Sequence, residues 1–153
     1  MAIRLFTPAN LDYFTDRINS ITVETERLWG TMSAPKMLRH LRLAFEGSLG
    51  EMEAQDRSNF LTRTVLRYIV FHLWTNWPKG RIKVPANLTP EPEGDLDFER
   101  GKLLTAADRF LAALGEDPAR PGGVHPLFGR QTVGYWSRIH GVHMDHHLRQ
   151  FGV

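Results

Sequence analysis

Seven histidines occur in this chain of 153 residues, and four of them, His140, His143, His146 and His147, fall within eight consecutive positions. Imidazole in its neutral form is the side chain most often recruited to hold a divalent metal ion. Advancing about 100° per residue along an α-helix, Val133, Trp136, His140, His143, His147 and Phe151 line up on one stripe, with His146 and Gln150 at its edge. Residues four apart stand one turn above each other, so His143 and His147 can converge on one ion without distorting the backbone. The zinc-protease pattern His-Glu-x-x-His is excluded, because Met144 follows His143 where that chemistry needs Glu.

A lone imidazole on an apolar stripe is ordinarily a hydrogen-bonded core residue. Burying several costs polar desolvation at each, and one shared ion satisfies them together. Two histidines leave the site incomplete. His40, among Met37, Leu41 and Ala44, is the best-placed third ligand, and His72 competes for the role from another apolar segment. Three neutral imidazoles would leave positions open to water or substrate, which distinguishes catalytic from purely structural sites. No carboxylate falls in phase with the histidines, and Asp145 and Arg149 are expected in solvent. Trp29, Trp77 and Trp136 can either wall a pocket or pack in the core. His125, just before Pro126, can support a ligand from behind or simply shape a turn.

Five helices are needed to position these groups, and no segment alternates long enough with period two to predict a sheet, so the class is all-α. The first starts with Thr7 as N-cap and Pro8 behind it, carries Leu11, Phe14, Ile18 and Ile21, and is expected to end near Arg27. The second starts at Ser33 and places Met37, Leu38, His40, Leu41, Phe45 and Leu49 on one side. The third, over about 57–74, is apolar nearly all round and is therefore expected at the centre. A long Pro-containing loop follows, through Pro78, Pro85, Pro90 and Pro92, and is expected to shape access to a site. The fourth covers about 97–114 and stops at Gly115. The fifth opens at Thr132, runs to about Gln150 and stops at Gly152. Together these predict a four-helix bundle with one additional helix, in which inward side chains of facing helices build the site.

Composition narrows the chemistry further. The chain has no cysteine, so its metal ligands must be nitrogen or oxygen. Length and a 42% hydrophobic content predict one domain over residues 1–153. No signal-like leader or membrane-length apolar run is found, which predicts a cytoplasmic protein with no membrane association. The net charge is only +2, with nine basic residues against four acidic ones over 36–83 and eight acidic against three basic over 91–117. Without a basic run interleaved with aromatics, nucleic acid is not an expected partner.

Read in order, Trp29-Gly30-Thr31-Met32, Met37-Leu38-Arg39-His40-Leu41, Trp77-Pro78-Lys79-Gly80, His125-Pro126-Leu127-Phe128-Gly129, Trp136 and the run from His143 to Gly152 resemble the DinB superfamily, which includes the YfiT-like metalloenzymes. Nearly the whole chain takes part, and the match is to a DinB-like subfamily without an assigned activity. The resemblance implies a DinB-like four-helix bundle, frequently a homodimer, with a three-histidine site for a divalent ion such as Zn, Ni or Fe. Carried over by position, the ligands are His40, His143 and His147. His146 matches the neighbouring histidine of the motif, which need not bind metal, and His140 is an additional one. Members act as metal-dependent hydrolases or as transferases of low-molecular-weight thiols, so a small-molecule substrate or thiol cosubstrate is the implied partner. The alternative is a non-catalytic module that binds metal or a small ligand in a stress response.

Overall fold

The computed structural model describes residues 4–73, 77, 79 and 89–153. Its first helix is shorter than the apolar spacing predicts. A 3-10 turn over Pro8–Asn10, tied by the Thr7 N–H to Asn10 Oδ1 at 3.0 Å, leads into α1, Leu11–Asn19. The expected continuation to Arg27 does not form. Ser20 returns its hydroxyl to the Arg17 carbonyl, and Thr25 Oγ1 accepts the Thr22 N–H, so hydroxyl side chains capture the backbone groups a further turn would use. Ile21 is nevertheless fully buried, which explains why its spacing looked helical.

The second helix, α2, runs Ala34–Ser48 from the Ser33 N-cap, whose Oγ accepts the Lys36 N–H. It buries Met37, Leu38, Leu41 and Phe45 together with His40. Contrary to the expectation of a central third helix, the apolar stretch that follows lies on the surface. It forms π-helical turns at Thr62–Leu66 and Ile69–Leu73, and among the described residues Phe71 is its only large apolar residue that is buried. Phe60 is 82% exposed and Leu61 61% exposed, so uniform apolar composition did not mean burial on all sides. One side alone is engaged. Phe71 packs edge-on to Phe128 and Tyr135, while Arg67 donates to Gln131 and sits over the Tyr135 ring.

Helix α3, Leu96–Glu116, is capped by Asp95, whose Oδ1 accepts the Phe98 N–H at 2.9 Å. It turns Leu103, Ala106, Ala107 and Phe110 inward, and the small alanines let it lie close to α2. Most of the Pro-containing loop falls outside the described residues. Its end is held to α2, with Glu91 paired to Lys36 and Glu93 to Arg39 and Arg42.

Beyond α3 comes an element the sequence pattern does not predict, a two-stranded antiparallel hairpin of β1, Pro121–His125, and β2, Gly129–Thr132. Pro121 pairs with Thr132 and His125 with Gly129, with a bulge between Pro121 and Val124. Strands this short carry too few residues for alternation to register. Gly123 lies so near the Gly47 carbonyl that a Cβ would fall 1.8 Å from its oxygen, which seats the hairpin against the end of α2. The last helix, α4, Val133–Gln150, starts at the predicted cap, with Thr132 Oγ1 accepting the Tyr135 N–H. Gly152 follows it at a φ of +76°.

The class is all-α: α1 to α4 form the bundle and the π-helical stretch is the additional helix. Phe6, Phe14, Phe45 and Phe110 meet edge to face or tilted at its centre, with ring centroids 5.2 to 6.3 Å apart. Among the described residues, no helix is long and apolar enough to cross a membrane.

Candidate metal centre

Three imidazoles meet where α2 faces α4. His40 comes from α2, His143 and His147 from successive turns of α4, and each offers a ring nitrogen within 4.8 Å of the other two. The Nε2 atoms of His40 and His143 are 2.9 Å apart. Nitrogens bound to one ion at about 2.1 Å lie roughly 3 to 4 Å from each other, so this spacing fits joint coordination. The three rings stand nearly edge to face, with centroids 4.8 to 5.0 Å apart. His40 and His147 are buried, and His143 is half-buried. Burial pushes the imidazoles of His143 and His147 well below their ordinary pKa, and the neighbouring histidines push further in the same direction. Both are therefore neutral at physiological pH, the form that coordinates metal.

His147 is held from behind. Its Nδ1 is 3.0 Å from Gln150 Oε1, and Gln150 Nε2 donates to the Trp29 carbonyl at 2.8 Å. The expected placement of Gln150 at the edge of the stripe is seen, but its role was not read from the sequence. The signal was present, since an amide three residues after a candidate ligand lies on the same helical face.

The other sequence candidates separate by position. His146 lies outside the triad, between the rings of Trp29 at 4.7 Å and Trp77 at 5.6 Å, and burial pushes its pKa down to about 4. Trp29 thus borders the cluster by its ring and supports it by its carbonyl. His140, one turn below His143, is enclosed in the core. Its Nε2 is 2.9 Å from Ser48 Oγ, its ring stacks on Phe45 and Trp136, and burial lowers its pKa to about 3. The Ser48 hydroxyl already donates to the Phe45 carbonyl, so His140 donates to it from Nε2 and is satisfied without an ion. Trp136 is 4% exposed, with its indole N–H donating to the Gly123 carbonyl. His125 shapes the hairpin turn, accepting the Leu127 N–H on Nδ1 and stacking on Phe128. His72 does not join the cluster and stacks on Tyr68 instead.

Asp145 is not in solvent as its phase predicted. It is 6% exposed, bridged by Arg17 of α1 at 2.9 Å and by Arg149 at 3.0 Å. A position off the histidine stripe faces α1 rather than water. Arg17 also donates to the Val153 carbonyl, so one guanidinium clasps α4 and the end of the chain.

Comparison of the chain with curated proteins and with solved structures returns no match. Residues 4–152, almost its full length and including every histidine of the cluster, match the sequence model of one family. The chain belongs to the family described as "Protein of unknown function (DUF1569)".

Proposed function

We propose that the chain is a divalent-metal-dependent enzyme, with His40, His143 and His147 as the ligands of one ion. The observation that carries this reading is the convergence of three mutually close, largely buried imidazoles with no carboxylate among them. Two of them are held neutral by burial. His40, His143 and His147 would hold a divalent ion such as Zn, Ni or Fe, which would supply a Lewis acid.

The chain's own residues set what approaches it. His40 and His147 are closed off, so access is from the half-buried His143 side, where Trp77, His146 and Trp29 stand together. Such a border accepts the apolar part of a small molecule. Hydrolysis, or transfer to a low-molecular-weight thiol, is the reaction class implied by the DinB resemblance. A homodimer is the assembly that resemblance implies, and the cytoplasm is the setting the sequence predicts.

Metal analysis of the purified protein, coupled to a panel of esters, amides, lactones and thiol conjugates, tests the reading. One ion per chain and metal-dependent turnover of a panel member are expected. An ion bound without turnover would favour the alternative, a non-catalytic metal- or ligand-binding stress-response module. A chain that binds no divalent ion even when titrated with one would overturn the metal-dependent reading and leave a small-ligand-binding module.

A further inference from the structure

We infer that Gln150 is a positioning residue of the metal centre, which fixes His147 as an Nε2 ligand and links the centre to the Trp29–Gly30 turn. The inference deepens the proposed metal site and rests on it.

The logic runs through which groups can donate. Trp29 O is a backbone carbonyl and only accepts, so the Gln150 atom 2.8 Å from it is the amide nitrogen. The oxygen of the same amide then faces His147 Nδ1 at 3.0 Å, and it too only accepts. His147 Nδ1 therefore carries the proton, and its lone pair is left on Nε2. A proton held on the far nitrogen by an acceptor orients a ligating imidazole and raises its basicity.

Gln150 is itself tightly placed. It is 2% exposed, and its backbone carbonyl accepts the Leu28 N–H at 2.7 Å, so the 28–30 turn is bonded to it twice. Gly30 is required there on two counts. Its φ is +81°, and a Cβ on it would fall 2.2 Å from Gln150 Nε2. The same turn places the Trp29 ring against His146. One short segment thus sets both the tautomer of a ligand and one aromatic border of the site.

The test begins with the unaltered chain. Nitrogen-15 correlation spectra of its metal-free imidazoles, taken above the ordinary histidine range at about pH 7.5, should show His147 protonated on Nδ1. Zinc affinity, measured by competition with a chromophoric chelator, should fall about ten- to hundred-fold in Gln150→Leu. The same variant should populate the Nε2–H tautomer of His147. Gly30→Ala should weaken zinc in the same direction without altering either partner. A wild-type His147 protonated on Nε2 would overturn the inference, as would a folded Gln150→Leu with unchanged zinc affinity. Should Gln150→Leu not fold, the wild-type spectrum and Gly30→Ala decide. If the wild-type chain binds neither zinc nor nickel, the metal reading fails, while the spectrum still decides whether Gln150 sets the tautomer.

Discussion

His143 and His140 stand one turn apart on the same helix, yet only His143 turns a ring nitrogen toward the other imidazoles of the cluster. His140 spends Nε2 on Ser48 inside a cage of Phe45, Phe110 and Trp136, whereas His143 turns Nε2 toward His40. Substitutions should therefore divide the histidines cleanly. His147→Ala is expected to remove the bound ion, and His146→Ala to retain it, as read by metal content per chain after gel filtration. The reverse result would place the ligand face one residue away. His140→Ala should keep the metal but destabilise the protein by about 2 to 4 kcal/mol, through the cavity and the unpartnered Ser48 hydroxyl. Loss of metal at unchanged stability would instead put His140 in the site.

At the scale of the elements, α4 carries two of the three candidate ligands and an interior glycine that costs about 1 kcal/mol of helix propensity relative to Ala. Gly141 is there because the N-terminal segment crosses α4 at this point. A Cβ would lie 2.6 Å from the Leu5 carbonyl carbon, and Phe6 bonds Ser137 through both its N–H and its carbonyl. Gly141→Ala should thus lower stability by about 1 to 3 kcal/mol despite the better propensity, as measured by the urea midpoint. An unchanged or raised midpoint would show that the crossing can yield. The helices bearing the candidate ligands were legible in the sequence because Ser33, Thr132 and Gly152 mark their ends by local chemistry. Helical phase puts His143 and His147 together, with His40 as the best third candidate, and the full set is what the family resemblance implies. What was not legible depends on neighbours remote in the chain. Asp145 needs Arg17 from α1, Gln150 needs the Trp29 carbonyl, and the surface position of the π-helical stretch is decided by what packs on each side of it. The hairpin escaped notice because two strands of four and five residues hold no measurable alternation.

Over the whole molecule, the triad joins segments 103 residues apart in sequence, so an ion that binds only the folded arrangement stabilises it by mass action. At a free concentration hundredfold above Kd this amounts to about 2.7 kcal/mol, or roughly 5 to 10 °C in Tm for a domain of this size. Chelation at neutral pH should lower Tm by that order, as read by thermal scans with and without the chelator. The metal-free protein has its own pH dependence, of determinate sign. His140 is held by burial at about 3, and His125 at about 4, against an unfolded value near 6.5. Above 6.5 both states are neutral and neither group affects stability. Below it the unfolded chain gains protons that the folded chain refuses, so stability falls with pH at about 1.4 kcal/mol per unit for each group. Between pH 6.5 and 5, His140 alone should cost about 2 kcal/mol. His140→Phe keeps a ring in the aromatic cage and removes this titration, so its urea midpoint should decline less steeply over the same interval. Parallel profiles for the two proteins would mean that His140 takes up its proton without leaving the fold.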